Sequence, residues 1–458
     1  MVVKLKAWLK EVGRSAVIRS LGVLVSGTAI AHGITALALP ISTRLYTPAD
    51  FAAASVFSSL VGTLVVASCL RFEMAIPLPE DDEEAVNLLA LSTAAVVATS
   101  ILTALVLMVL PYSALALLGQ PGLLPHLWLL PVALLVGGLY LTLQMWFVRR
   151  KSFGPIARSR IAQSASAAGG QLGLGVLGYA PLGLLVGQML NYGAGAATLG
   201  AGLLLKERAL LSRIRLIGMM RAATTHQRFP RYSVWEALAN SAAIHLPVLL
   251  IAALAAGPEA GFLALAIFLL QAPMALLGTA VGQVYLSGAP EALREGRLDV
   301  FTEGMIGRLI LIATGPILFA AVVSPALFGL VFGQEWERSG VLVAWMAPWF
   351  LMQFLSSPIS TVLHVTGRQV TALCLQVAGL VLRVGSVLIA AAIDRTFIVE
   401  TYALSGFIFY AVYLVIAARA AKIHIRGLGA RALPALPSVL ACLALGGMVY
   451  ATVTFLPA

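Results

Sequence analysis

The sequence predicts an all-α polytopic membrane protein, and three observations carry that reading. Of the 458 residues, 60% are hydrophobic and 11% charged, where a soluble domain averages ~25% charged. Mean hydropathy is +0.96. The apolar residues gather into thirteen segments, each about as long as the ~20 residues a helix needs to cross hydrocarbon. The basic residues, finally, concentrate in alternate connections between those segments, as the positive-inside rule demands.

The segments are 21–44, 51–76, 85–110, 126–148, 155–178, 181–205, 232–256, 260–284, 304–325, 339–364, 369–393, 396–418 and 433–456. All are expected to be helices, because a spanning segment must satisfy its own backbone polar groups. Their length excludes a barrel, whose strands need ~10 alternating residues. The first segment follows a basic stretch, 1–20, and is too long for a signal-peptide core. No small-residue cleavage site follows it, so it reads as a span retained in the mature protein. Between the second and third segments lies LRFEMAIPLPEDDEE, with Arg71 and Glu73 ahead of two prolines and an acid run from Glu80 to Glu84. The prolines suit a helix end and the acids a helix N-terminus, so the run reads as a solvated hairpin turn.

With the N-terminus cytoplasmic, the inner stretches 1–20, 71–84, 149–160, 206–231, 285–308, 365–368 and 419–431 hold 26 of the 30 Lys and Arg residues. Arg44, Arg338 and Arg395 fall outside, and Arg383 lies within a span. The basic connection 206–231 divides the first twelve segments into six and six. Both halves then enter from the same side, which makes the repeat parallel. TPADFAAASVF after the first segment is similar to GPEAGFLALAIF after the seventh. The expected organisation is a basic N-terminus (1–20), a six-helix bundle (21–205), a linker (206–231), a second six-helix bundle (232–418), and a basic loop with a thirteenth segment (419–458).

In a chain dissolved in lipid, polar residues carry the information. Arg383 is fifteen residues past Arg368, roughly 22 Å along a helix. A central Arg costs ~2.5–3.5 kcal/mol on insertion scales and should face protein or water. Gln369, Gln376, Gly379, Arg383 and Ser386 share its face by helical spacing. Similar stripes are Gln353, Ser357, Ser360 and His364; Arg160, Ser164, Ala167 and Gln171, with Arg158 adjacent; Thr28, His32, Thr35 and Ser42; and Ser233, Glu236 and Asn240. Helix contact is the plain explanation of a Ser or Thr stripe. Stripes on several helices of both halves point to a central aqueous cavity.

That cavity is expected to be cationic, through Arg383, Arg160, Arg71, Arg308 and Arg158, with Gln376, Gln353 and His32 as polar neighbours. The guanidinium fork matches phosphate oxygens, so the substrate class is anionic. For the arginines near inner helix ends, snorkelling is the simpler account. Cys69, Cys374 and Cys442 have no metal or disulfide spacing. There is no phosphate-binding GxxxxGK[ST], no HExxH and no GxSxG. The chain therefore reads as a transporter rather than an enzyme, without cofactor, metal or nucleic-acid partner.

RLYTPADF (44–51), LRFEMAIPLP (70–79), FPRYSVWEALANSAAIHLPVLLIAALAAGPEAGFLALA (229–266) and FGQEWERSG (332–340) resemble the polysaccharide and O-antigen flippase branch of the multidrug/oligosaccharidyl-lipid/polysaccharide exporter superfamily. The resemblance covers roughly residues 15 to 420 and leaves the thirteenth segment outside. It implies two six-helix bundles in a V around a cavity that opens alternately to each side. It also implies movement of a lipid-linked oligosaccharide, on an undecaprenyl diphosphate carrier, across the bacterial inner membrane. Glycosyltransferases and a glycan polymerase of the same pathway are the partners implied, besides membrane lipids. Glu236, near Asn240, is the candidate coupling acid, and Arg71 with Glu73 the candidate cytoplasmic gate, each bonded to other helices. The rival readings are a multidrug exporter of the same superfamily and a membrane glycan polymerase or ligase.

Overall fold

The computed structural model describes residues 16–255, 257–274, 278–423 and 433–455. The basic stretch 1–15 and most of the basic loop 419–431 lie outside the described residues. Within them the regular structure is helical, and each of the thirteen apolar segments is found in helix. In chain order the main helices are α1 (Ala16–Leu45), α2 (Pro48–Ser68), α3 (Asp82–Val109), α4 (Leu129–Arg149), α5 (Phe153–Val176), α6 (Leu182–Lys206), α7 (Leu216–Thr225) and α8 (Val234–Leu254). They continue with α9 (Glu259–Pro273), α10 (Thr279–Arg294), α11 (Leu298–Phe332), α12 (Glu337–Ser356), α13 (Gln369–Ile393), α14 (Ile398–Ala420) and α15 (Leu436–Phe455).

Ten described helices are long and apolar enough to cross a membrane, the last being Leu433–Thr454. Thirteen apolar segments therefore do not become thirteen equivalent spans. α5 and α6 have the length, but Arg158, Arg160, Gln163 and Gln171 in one, and Gln188 and Asn191 in the other, dilute their hydropathy. In the segment 260–284 the described helices are α9, of 15 residues, and α10, whose second half carries Glu291 and Arg294.

Two other boundaries move for stated reasons. α2 ends at Ser68 rather than near residue 76, because Leu70 and Arg71 both take left-handed backbone, φ 48° and 62°. That conformation costs of order 1–3 kcal/mol for a non-glycine residue and stops the helix before either proline is reached. α12 ends at Ser356; Pro358 sits in the short 3-10 turn Ser357–Ile359 that follows.

The chain forms two compact units, one made of residues 1–46 and 53–249 and the other of 47–52 and 250–458. In the first, α5 packs against both α1 and α6, and α4 packs against α6 and α3. One end of this unit is filled by Phe72, Ile76, Leu88, Trp146, Phe147, Ile156, Leu199 and Leu203. In the second, α11 packs against α12 and α15, and α14 against α12 and α13. Its core joins Tyr285, Ile306, Ile359, Leu363, Leu375, Phe409 and Tyr413.

Candidate substrate and coupling residues

Arg71 and Glu73 are built on the left-handed break after α2. Arg71 caps the short 3-10 turn Phe72–Ala75, which swings its guanidinium back over Glu73. The two pair at 3.3 Å, Nη1 to Oε1. Each was expected to bond to other helices, since residues i and i+2 on one helix cannot face each other. The expectation fails because the residues do not share a helix. Glu73 is 2% exposed, and burial pushes its carboxyl above the usual carboxylate range, with Arg71 pulling the other way. Arg71 Nε and Glu73 Oε2 have no hydrogen-bond partner among the described residues.

The acid run beyond the prolines is a clasp rather than a solvated turn. Asp81 caps α3, its carboxylate accepting from the backbone N–H of Glu83 and Glu84. Asp82 receives Arg149 at 2.9 Å and Arg150 at 3.1 Å. Arg150 also pairs with Glu207 at 2.8 Å and lies over the Trp146 ring at 5.0 Å. Arg149 donates to the carbonyls of Pro79 and Glu80, and Glu84 meets His226 at 3.1 Å. One turn into α3, the Asn87 side chain accepts from the Arg215 backbone N–H at 2.9 Å and donates to the Arg213 carbonyl at 3.5 Å. The long linker is thus fastened to the start of α3. Opposite charges on adjacent inner connections, acids at 80–84 and Arg149–Arg150, were the sequence signal for it.

Elsewhere in this unit Arg160 on α5 donates to the Thr28 hydroxyl on α1. His32, half-buried, is one turn further along α1, so Arg160 and the Thr28/His32 stripe are brought together. Arg158 is exposed and not part of that contact. Glu236 and Asn240 are both exposed on α8, and neither is in an ion pair among the described residues. The other side of α8 holds Ser241, which donates to the Gly62 carbonyl of α2 at 3.0 Å.

In the second unit Arg383 is 8% exposed, and its guanidinium carbon lies 4.7 Å from the centre of the Phe409 ring on α14. Desolvated cation–π stacking of this kind is worth ~2 kcal/mol. Gly379, one turn earlier, makes room for the same ring: a Cβ there would lie 2.4 Å from Phe409. Arg383 Nε has no hydrogen-bond partner among the described residues. Its predicted stripe divides, since Gly379 and Arg383 are buried on α14 while Gln369 and Gln376 are exposed. The Gln353 stripe divides too. Gln353 is half-buried on α12, but Ser360 and His364 lie beyond the break at Pro358. Arg308 is exposed on α11. Sequence reasoning passed over Phe409, which pattern reading takes as one more apolar residue.

It also missed Arg338, left among the outer basic residues. Arg338 forks onto Glu259 of α9, Nε–Oε1 3.0 Å and Nη2–Oε2 3.2 Å. Its Nη1 lies 2.6 Å from Glu400 of α14. One guanidinium thereby serves two largely buried carboxylates on two helices, and Glu400 Oε2 has no partner among the described residues. The arginine lies in FGQEWERSG, which was marked only for its resemblance.

Residues 41–340 match the family model described as polysaccharide biosynthesis protein. No curated protein matches the chain in sequence. Among solved structures, the chain is similar to the lipid II flippase MurJ in an inward closed conformation, at 10% identity and TM-score 0.67, covering 94% of this chain and 97% of that one. An inward-facing multidrug resistance MATE transporter of the MOP superfamily aligns at 14% identity and TM-score 0.62, covering 89% and 99%. A MOP superfamily transporter from Pyrococcus furiosus aligns at 14% identity and TM-score 0.55, covering 90% and 98%. At these identities the likeness is one of fold, and the family match spans well over half of the chain. The multi-pass helical membrane protein described here, with its fold in common with MATE transporters and MurJ, belongs to the polysaccharide biosynthesis protein family.

Proposed function

We propose that this protein is a flippase that moves a lipid-linked oligosaccharide, on an undecaprenyl diphosphate carrier, from the cytoplasmic to the outer leaflet of the bacterial inner membrane. Access to a hydrated cavity alternates between the two sides of the membrane. The hydrated headgroup passes through the cavity while the prenyl tail stays in lipid, and no bond is made or broken. The family match supports the pathway, and the fold shared with a protein named as a lipid II flippase supports the mode of transport.

One observation carries the substrate class. Arg383 is an arginine retained at mid-helix, about 21 Å from the start of α13, and stacked on Phe409 with Nε unsatisfied. A guanidinium held in that state has donors to offer a diphosphate or an acidic sugar. Arg160, Arg158, Arg71 and Arg308 would extend the cationic path, with Gln376, Gln353 and His32 as polar contacts. Arg71 and Glu73 would form the cytoplasmic gate, and Glu236 with Asn240 the coupling site. A multidrug exporter, the rival, calls for an acidic or aromatic cavity suited to cationic drugs.

The test is complementation of a flippase-null strain, normalised to membrane expression. Arg383→Ala should insert normally and lose most of its transport. Arg383→Lys keeps the charge without the fork and should retain part. Full activity from Arg383→Ala would refute the role given to this residue.

A further inference from the structure

α7 has two faces of opposite character. The inner one is small and packed: Ala222 is 2% exposed, and a Cβ at Gly218 would lie 2.7 Å from the Asn87 side chain. The outer one carries Leu216, Ile217 and Met220, which are 73%, 81% and 63% exposed. Three large apolar side chains side by side on a ten-residue helix are out of place in water. Along this stretch of the chain the charge has one sign, the neighbouring acids being those at the start of α3. Between residues 208 and 235 there are six arginines and no Asp or Glu, and Arg213, Arg215 and Arg221 are all exposed.

The helix also has a defined depth. It is held at Asn87, five residues into α3, by the backbone of residues 213–215. α3 has 28 residues, about 42 Å of helix, against a hydrocarbon core of ~30 Å. The excess of about 12 Å, with Asp82, Glu83 and Glu84 in the first turn, puts this end of α3 in the headgroup layer, and α7 stands there with it. An exposed apolar face edged with arginine at that depth matches the physical description of an interfacial helix.

We propose that α7 lies in the bilayer interface with Leu216, Ile217 and Met220 in the acyl boundary, and that Arg213, Arg215 and Arg221 bind the headgroups of anionic phospholipid. Charge complementarity selects that occupant, because each arginine at an anionic surface contributes a roughly fivefold preference. The linker between the two halves of the sequence is by this account a lipid-reading element. It needs nothing from the transported substrate and does not rest on the function proposed above.

The experiment uses the full chain carrying Ile217→Cys with a fluorescent label, with Cys374 and Cys442 changed to alanine; Cys69 is buried. The protein is reconstituted in vesicles of phosphatidylcholine or of phosphatidylcholine with phosphatidylglycerol, one lipid brominated at a time. Brominated chains should quench the label, and brominated phosphatidylglycerol should quench at least about fivefold more than brominated phosphatidylcholine at equal content. Arg213→Gln, Arg215→Gln and Arg221→Gln together should bring the two to parity. A label that no brominated lipid quenches, as when another protein surface covers this face, overturns the proposal. Equal quenching by both lipids with the arginines intact overturns the anionic recognition, and that comparison needs no arginine variant to fold.

Discussion

Arg71 and Glu73 are two residues apart and form an ion pair of 3.3 Å that a continuous helix would forbid. Two successive left-handed residues make it geometrically possible, and a single carboxylate buried beside a single guanidinium is what results. The pair lies on a strained stretch of backbone, a place where proteins tend to keep function.

The buried Glu73 carboxyl should make stability fall as pH rises. Its pKa is raised in the folded protein by burial, so the folded state holds this proton more tightly than the unfolded one. That contribution is complete below the ordinary carboxylate pKa and is lost as pH climbs through the raised value. Glu73→Gln keeps the shape without the titration. Its melting temperature relative to wild type should increase from acidic to neutral pH, and a difference independent of pH would contradict the assignment.

Arg338 is predicted to be the costliest charge to remove from the second unit. Arg338→Gln leaves Glu259 and Glu400 facing each other without a cation. Losing one partner of a buried pair costs about 3–5 kcal/mol, reduced to about 2–3 here because Arg338 itself is about a quarter exposed. Adding Glu400→Gln to that variant should recover part of the loss. Thermal unfolding of the three proteins in one detergent measures it, and a double variant no more stable than Arg338→Gln would show that the triad is not electrostatically coupled.

The clasp at the start of α3 makes a prediction about the linker. Asp82→Asn removes the carboxylate that Arg149 and Arg150 share. Cleavage by trypsin after Arg213 or Arg215 should then become several-fold faster, read by mass spectrometry of the nicked chain. Unchanged cleavage would mean that Asn87, Glu84 and the Arg150–Glu207 pair hold the linker without Asp82.

The stack of Arg383 on Phe409 can be separated from the charge of Arg383. Phe409→Leu preserves an apolar side chain but removes the ring face, a loss of about 2 kcal/mol of cation–π attraction. Transport should drop less than in Arg383→Ala, since the guanidinium remains. Equal loss in both variants would mean that the ring's orientation of the arginine is as important as the arginine itself.

Orientation is predicted from the sequence alone. A cysteine at position 215 should be unreactive to an impermeant thiol reagent applied to intact cells and reactive in inverted vesicles. Labelling from outside would reverse the topology, because the bias of 26 in 30 basic residues would then stand on the wrong face.

By itself the sequence determined that the chain is helical and lives in lipid, since apolar length and internal backbone satisfaction leave no other choice. It also determined where most helices run: 369–393 was read off the hydropathy and is the α13 of the structure. The presence of a deep arginine at 383 was equally legible, because one charge in an apolar run needs no neighbours to be conspicuous. Tertiary structure decided whom each polar residue meets. A helical stripe gives a side chain's azimuth, but burial depends on the helix across from it, so Gly379 and Arg383 are covered by Phe409 while Gln376, in nearly the same register, is exposed. The backbone break at Pro358 removed the periodicity on which the Gln353 stripe relied, and the break at Arg71 paired two residues that a continuous helix would have kept apart. The clasp at Asp82 and the Arg338 triad join residues 67 and 79 positions apart. Contacts of that range follow from helix packing, which no local pattern contains.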